Sequence, residues 1–461
     1  MVEQVLKYDS IIVGSGQGGN PLAQALAARG EKVALIESGA LGGTCINTGC
    51  TPTKTMVASA QVAHYARQGV RWGVHTGDVH VDLQKVLERK NKVVQQFRSG
   101  WEKKVDQDGK PYLIRGRARF VGMKRLQVNS DVVEGNRIFI DTGGRPAVPK
   151  IVGLDAVPYL TNVSILEIAD LPKHLVVLGG GYIGLEFGQM FRRFGSEVTI
   201  IQRVDRILPN EDEDITAELR RYLETEGVRF LTGAKAVAAR GTQGSVEVDA
   251  ALGDLTETIR GSHLLVAAGR KPNTEDLDLH QTGVKTNEKG FILVNDRLET
   301  TAPDIWALGD VNGGPAFTHI SYNDFQIVYA NLFEGKDIRT TQRIVPYAVY
   351  TDPTLGRVGV TETQARREGR RLKIGKVPMT NVARAIERDE TQGLMKIVVD
   401  AATDQVLGAA ILSVEGGEIV QILSTLMLAQ QPYTLLKGAI YIHPTLAEGF
   451  FGLMDSVKEV D

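Results

Sequence analysis

The chain has 461 residues, 53 basic against 55 acidic side chains, a net charge of −2, and 43% hydrophobic and 23% charged residues. This balance gives no electrostatic reason to expect nucleic acid or a membrane surface as a partner. No apolar run reaches the roughly 18 residues of a membrane span, and the length implies roughly two to four domains.

Ser10-Ile11-Ile12-Val13 reads as a short buried strand. Gly14-Ser15-Gly16-Gln17-Gly18-Gly19 follows, then an alanine- and leucine-rich helix through Ala28, and Glu31 to Glu37 supply the next strand with an acid at its end. In this pattern Gly14, Gly16 and Gly19 let backbone amides approach a pyrophosphate. The helix N-terminus receives its charge, and Glu37 binds a ribose hydroxyl. Glu37 follows the first glycine by 23 positions, close to the ~20 of a dinucleotide site.

Cys45 and Cys50 are the only two cysteines, and both fall in the stretch Gly42-Gly43-Thr44-Cys45-Ile46-Asn47-Thr48-Gly49-Cys50-Thr51-Pro52-Thr53-Lys54. The glycines before them allow sharp turns and close approach to a flat ligand. Thr51-Pro52 reads as an N-cap with proline at the first helical position, which puts Cys50 at or just before a helix N-terminus. The helix dipole there favours a thiolate, and Lys54 adds a positive charge about one turn later. A structural zinc site would take about four ligands, and no second cluster exists. That leaves a short-loop structural disulfide or a redox-active dithiol, and the remaining motifs favour the dithiol. A chain with only two cysteines suits a reducing, cytoplasmic setting. Met1-Val2-Glu3-Gln4 shows neither the basic head nor the apolar core of a signal peptide.

A helix is expected from Val81 to Trp101, then strands around Tyr112–Ile114, Arg119–Val121, Leu126–Val128 and Arg137–Asp141. Thr142-Gly143-Gly144-Arg145-Pro146 reads as a turn and domain exit. A second nucleotide unit opens with the strand Leu175–Leu178, the turn Gly179-Gly180-Gly181-Tyr182-Ile183-Gly184, a helix running through Glu186 to Phe194 and the strand Ser196–Ile201. Gly179, Gly181 and Gly184 repeat the glycine spacing. At the same 23-residue offset stands Gln202 instead of an acid, followed by Arg203 and Arg206. Loss of the acid and gain of arginines fit a 2′-phosphate, hence NADPH, with NADH possible. Val266 to Pro272, including Gly269, closes this unit. Two dinucleotide folds imply a flavin and a nicotinamide. Ile305–Asp310 is a buried strand ending in Gly309-Asp310, where the acid holds a sugar hydroxyl or caps the next segment. From about Gln342 the texture becomes α+β, with strands at Ala348–Tyr350, Leu394–Val399 and Gly408–Leu412 and a helix from Glu418 to Ala429. In His443-Pro444-Thr445-Leu446-Ala447-Glu448, the acid five residues on is suited to fix the imidazole as a proton relay.

Gly14–Gly19 with Glu37, Cys45–Cys50 leading into Thr51–Lys54, Gly179–Glu186, Gly309-Asp310 and His443-Pro444-Thr445…Glu448 together resemble the class I pyridine nucleotide–disulfide oxidoreductases. That family includes glutathione reductase, dihydrolipoamide dehydrogenase and mercuric reductase. The resemblance implies an α/β fold of two Rossmann-like domains, for FAD and NAD(P), with a C-terminal α+β dimerisation domain. The implied boundaries are 1–150 and 273–341 for FAD, 151–272 for NAD(P) and 342–461 for the interface. It implies FAD across Gly14, Gly16, Gly19, Glu37, Gly43, Thr44, Gly309 and Asp310, and the nicotinamide nucleotide across Gly179, Gly181, Gly184, Gln202, Arg203 and Gly269. Cys50 would be the charge-transfer thiolate beside the flavin and Cys45 the thiol that attacks substrate. Lys54 would lie near the flavin and pair with Glu186, and Tyr182 would cover the nicotinamide pocket. In a homodimer, His443 and Glu448 would serve the dithiol of the other subunit.

Within the family, Gly42–Asn47, Tyr350-Thr351-Asp352-Pro353 and Ala383-Arg384-Ala385 look most like the branch of mercuric reductases and reactive-chlorine-induced flavin reductases. Mercuric reductases end in a vicinal cysteine pair and lack the His-Pro motif. Here no cysteine follows Cys50, and His443-Pro444 is intact. The region from Pro432 to Lys458 is more similar to the reactive-chlorine branch, which is associated with oxidised sulfur such as hypothiocyanous acid and with copper. The expectation is an FAD-dependent NAD(P)H oxidoreductase acting on a small oxidised-sulfur or metal-ion substrate. Alternatives are a mercuric reductase, a dihydrolipoamide dehydrogenase and a flavin-binding regulatory protein.

Overall fold

A computed structural model describes residues 5–106 and 111–460. Its first sheet grows from three strands whose apolar runs are buried on both faces, as a parallel sheet covered on each side requires. β1 (Val5–Val13) pairs in parallel with β2 (Val33–Glu37), and the two are joined through helix α1 (Gly19–Ala28). The short helix α2 (Gly43–Asn47), α3 (Cys50–Gln68) and α4 (Leu83–Asp106) precede β3 (Tyr112–Arg115), which extends the sheet beside β2. β4 (Ala118–Gly122), β5 (Arg125–Val128) and β6 (Asp131–Ile140) return as an antiparallel meander, with β6 parallel to β1.

After β7 (Gly144–Pro146) and β8 (Tyr159–Leu160), a second parallel sheet begins at β9 (His174–Leu178). Helix α5 (Tyr182–Phe194) leads to β10 (Glu197–Gln202), and α6 (Glu213–Thr225) leads to β11 (Val228–Thr232). β12 (Lys235–Thr242), β13 (Ser245–Leu252) and β14 (Leu255–Gly261) form a separate antiparallel sheet. β15 (His263–Val266) then closes the second parallel sheet in the order β11-β10-β9-β15-β8. β16 (Arg270–Pro272) pairs antiparallel with β7, and β17 (Ile305–Ala307) returns to the first sheet beside β6. Helix α7 (Thr318–Phe333) packs below it. A six-stranded antiparallel sheet and the helix Gly416–Leu428 make up the C-terminal part.

Several elements differ from expectation for local reasons. The cap of α3 is Gly49 instead of Thr51, so Cys50, Thr51 and Pro52 all lie in the first turn. Proline is tolerated there because those amides have no intrahelical acceptor. The second helix begins at Tyr182, inside the Gly179–Gly184 pattern, because Gly181 is already the extended N-cap. The predicted Val81–Trp101 helix runs from Leu83 to Asp106, carried on by the helix formers Glu102, Lys103 and Lys104 and by buried Val105. The two exit turns, Thr142–Pro146 and Val266–Pro272, are not independent: their ends pair as β7 and β16.

The second parallel sheet is fastened to the C-terminal part by buried ions. Arg193, 5% exposed, reaches Glu226 at 2.5 Å and Asp352 at 2.8 Å. Lys396, 3% exposed, lies within 3.1 Å of Asp212, Asp214 and Glu362. Removing one partner strands buried charge, which costs about 3–5 kcal/mol. Arg193→Met is therefore expected to lower the guanidinium unfolding midpoint by that order of stability, and an unchanged midpoint would show that the cluster is not a fastening.

Candidate active site

The first glycine turn is shaped by close packing. A Cβ on Gly14, whose φ is +104°, would lie 2.2 Å from the Asp141 carbonyl oxygen, and one on Gly19 would lie 2.4 Å from the Gly14 carbonyl. The second turn repeats this. Gly179 has φ +116° and would place a Cβ 2.4 Å from the Ala267 carbonyl, and Gly184 would approach the Gly179 carbonyl at 2.0 Å. Side chains at the ends of the following strands brace both loops. Glu37 accepts from the Ser15 amide at 2.9 Å, the Ser15 hydroxyl at 2.7 Å and the Gly39 amide at 2.7 Å. Gln202 accepts from the Gly180 amide at 3.2 Å, and its amide nitrogen donates to the Arg206 carbonyl at 3.3 Å. Gln202 thus takes the structural half of Glu37's role without its charge. Arg203 is exposed, and Arg206 donates to the Pro209 carbonyl at 3.0 Å.

A cleft of about 940 Å³ runs along the first sheet. Its walls include Gly14, Gly16, Glu37, Gly43, Asp310 and, at the far end, Cys45 and Cys50. The volume is near the upper end of small-molecule sites, about 300–1,000 Å³, and is large enough for a dinucleotide. Gly43 lies so close over the first turn that a Cβ would meet the Gly16 Cα at 2.9 Å, whereas positions at Gly143, Gly181 and Gly269 face open space. Thr44 also lines the cleft. Gly309, with φ +69°, donates its amide to Asp324 at 2.8 Å. Asp310 is paired with Arg270 at 3.1 Å. These residues fit a bound FAD, and the second turn fits a nicotinamide dinucleotide.

At the inner end, α2 carries Cys45 and the first turn of α3 carries Cys50. The Cys50 sulfur is 3.1 Å from the Thr318 hydroxyl at the start of α7. The Cys50 thiol is pulled down to about 6, first by the hydrogen bond that Cys45 donates, against burial, and then by Thr318 and the Lys54 charge. Cys45 is pushed up, because its proton is held by Cys50 and because it is buried. The pair therefore shares one proton, with the thiolate on Cys50. Lys54 bridges to Glu186 at 2.6 Å, and Glu186 also accepts from the Tyr350 amide at 2.9 Å. Tyr182 lines the same cleft, its ring 6.3 Å from that of Phe317.

His443 stands apart from this cleft. Its Nδ1 lies 3.0 Å from both carboxylate oxygens of Glu448, and its side chain is 68% exposed. Glu448 raises the His443 pKa, by hydrogen bond first and charge second. The structure brings Cys45, Cys50, Lys54, Glu186, Tyr182, Glu37 and Asp310 to one cleft. Gln202 ends β10 of the second sheet and Arg203 follows it, and His443 with Glu448 sits on the C-terminal surface. Thr318 and Asp141 line the same cleft without having been singled out from sequence: Thr318 belongs to no motif, and Asp141, unlike Glu37, does not stand at the spacing from a glycine turn that marks a dinucleotide acid.

The sequence profile of the pyridine nucleotide-disulphide oxidoreductases matches residues 8–324, and that of their dimerisation domain matches residues 345–452. The chain is 38% identical to the probable pyridine nucleotide-disulfide oxidoreductase RclA of Escherichia coli, over 98% of this chain and 100% of that one. It is 36% identical to a mercuric reductase of Bacillus cereus over 90% of this chain, but spans only 66% of that protein. It is also 36% identical to a dihydrolipoyl dehydrogenase of Thermus scotoductus over 98% of each chain. The solved structure of the HOCl-induced flavoprotein disulfide reductase RclA from E. coli superposes with a TM-score of 0.89 at 37% identity, covering 98% of this chain and 100% of that one. A Cu(II) complex of the same E. coli protein matches with the same TM-score of 0.89.

In the reduced protein, thiolate absorbance should rise with a midpoint at about pH 6 and vanish in Cys50→Ser. Thr318→Val and Cys45→Ala each remove a donor to Cys50 and should move that midpoint upward. A midpoint unmoved in both variants would mean that neither group holds the thiolate.

Proposed function

The chain belongs to the pyridine nucleotide-disulphide oxidoreductases, flavoproteins that use FAD and NAD(P)H, and from that premise we propose that it reduces a small oxidised-sulfur compound through the Cys45–Cys50 pair. The carrying observation is the placement of the pair: Cys45 on α2 and Cys50 in the first turn of α3 line one cleft, with the Cys50 sulfur 3.1 Å from the Thr318 hydroxyl and Lys54, fixed by Glu186 at 2.6 Å, one turn further on. FAD held along Gly14, Gly16, Glu37, Gly43 and Asp310 would supply two-electron chemistry between the nicotinamide and the sulfur pair.

The chain's own residues account for the rest. Cys45, once deprotonated, attacks the electrophilic sulfur of the substrate and expels its leaving group, forming a mixed disulfide. The Cys50 thiolate then attacks the Cys45 sulfur, closing the Cys45–Cys50 disulfide and releasing the reduced substrate as a thiolate. Two electrons leave the dithiol, and its proton passes to His443 of the partner subunit, held ready by Glu448. Lys54, fixed by Glu186, stabilises negative charge beside Cys50. Residues 345–452 match the dimerisation domain, which supports a homodimer. On this reading the enzyme works in the cytoplasm.

Full-length correspondence with RclA, described as HOCl-induced, supports an oxidised-sulfur substrate of the hypothiocyanous-acid type. A soft metal ion is the second reading, since the same E. coli protein has a Cu(II) complex. Mercuric reduction is less supported, because no cysteine follows Cys50 to hand over the metal. For the nucleotide, neutral Gln202 and the exposed Arg203 favour NADPH.

Cys45→Ser should keep its FAD and its reduction by NADPH but lose turnover with disulfides or hypothiocyanous acid; retained turnover would put the chemistry on the flavin instead. The raised His443 pKa means that the imidazole keeps its proton to higher pH than usual. Glu448→Gln should let that proton go at lower pH, shifting the matching limb of the kcat/KM profile downward. A profile that does not move would remove His443 from the proton path.

A further inference from the structure

Asp141 closes β6 and is only 6% exposed. Its backbone amide bonds the Val13 carbonyl at 2.8 Å, so its side chain emerges at the end of the sheet where β1 also finishes. There the carboxylate lies between two glycine turns. Oδ2 accepts from the Gly19 amide at 2.7 Å. A Cβ on Gly16 would sit 2.7 Å from Oδ2, and one on Gly309 would sit 2.9 Å from Oδ1. The carboxyl therefore occupies an amide at the N-terminus of α1, the end of the helix that a dinucleotide phosphate uses, and it lines the cleft itself.

Its charged neighbours do not neutralise it. From the turn after β17 comes Asp310, paired with Arg270 at 3.1 Å. From α7 comes Asp324, paired with Arg343 at 2.5 Å. Glu37, at the end of β2, is held by Ser15 and Gly39. The glycine turn itself brings only amides and the Ser15 hydroxyl. Among the described residues no cation pairs with Asp141, whereas both nearby aspartates have one. Burial, followed by the charges of Asp310 and Asp324, raises the Asp141 pKa well above the usual aspartate value despite hydrogen bonds from the Gly19 and Gly18 amides.

We propose that Asp141 couples flavin binding to a proton: the FAD phosphates and the ionised carboxyl compete for the same helix N-terminus, so FAD binds best when Asp141 is neutral. Linkage makes this reciprocal, and bound FAD holds the Asp141 proton to higher pH. Flavin affinity therefore falls as pH rises, at most about tenfold per pH unit for one proton. Asp141 acts here as a positioning residue for the cofactor and takes no part in electron transfer.

The test uses the oxidised holoprotein, in which the disulfide keeps Cys50 from titrating. FAD dissociation is followed by recovery of free-flavin fluorescence on serial dilution between about pH 5 and pH 9. The wild type should lose affinity at least about tenfold across that range. Asp141→Asn, which keeps an oxygen for the Gly19 amide but no charge, should match the wild type at the acid end and stay flat above it. A wild-type series that is flat, or an Asp141→Asn series with the wild-type slope, overturns the proposal. Asp141→Ala, neutral by another route, should also be flat, and circular dichroism of each variant separates weak binding from failure to fold. If neither variant folds, the wild-type series decides alone.

Discussion

The ion pair between Lys54 and Glu186 joins three separate pieces of chain at the point where the chemistry is done. Lys54 comes from the dithiol helix, Glu186 from the helix after the second glycine turn, and the Tyr350 amide that completes Glu186 from the edge of the C-terminal sheet. Glu186 is 3% exposed, and an unpaired carboxylate at that depth is strongly disfavoured. Its charge is tolerable only while Lys54 and Tyr350 stay in place. The two nucleotide-binding units and the C-terminal sheet therefore cannot move far apart at this point without exposing or stranding that charge. The sulfur pair is held at a junction, and Lys54 contributes to the low pKa of Cys50 as part of the same contact.

The two glycine turns show how one backbone solution is adapted to two ligands. Both place the third glycine against the carbonyl of the first, at 2.4 Å and 2.0 Å for an added Cβ, so any side chain there would break the turn. Both brace the second residue of the loop from the end of the next strand, by Glu37 in one case and Gln202 in the other. Replacing glutamate by glutamine keeps the brace and removes a charge that would repel a 2′-phosphate. The substitution changes electrostatics without changing the fold, and for that reason it can be read from spacing alone.

Much of this architecture was legible because it depends on local rules. The end of β1 from Ile11 to Val13, β9 from Leu175 and β17 are apolar runs, the turns are glycine patterns, and Cys50 could be placed at a helix start by its neighbours, whereas the short helix α2 under Cys45 carries no such signal. The pairing of β7 with β16 was not legible, since it joins residues more than a hundred positions apart and each segment alone resembles a turn. Thr318 was missed for the same reason: only the tertiary fold brings α7 against α3. Asp141 reads as an ordinary strand terminus until the packing of Gly16 and Gly309 around its carboxyl is seen. The α3 cap was misplaced by one local rule overriding another. Thr51-Pro52 is a good helix start, but Gly49 already supplies the non-helical turn that a cap needs.

The placement of His443 completes the argument about assembly. A proton carrier for the dithiol has to reach it, yet within one chain His443 and Glu448 sit on the C-terminal surface, outside the cleft. The residues around His443 are not those of a surface left to water. Ile440 is 99% exposed, Ile442 is 79% exposed, and Leu435 is 56% exposed. Apolar side chains concentrated in so short a stretch mark a surface that is covered in the working protein, and the stretch lies in the segment that matches a dimerisation domain. Burying these isoleucines against a second copy would remove apolar area from water and carry the His443–Glu448 pair toward that copy. On the proposed reading, the same contact that covers these side chains would also bring a proton carrier to the dithiol of the other copy.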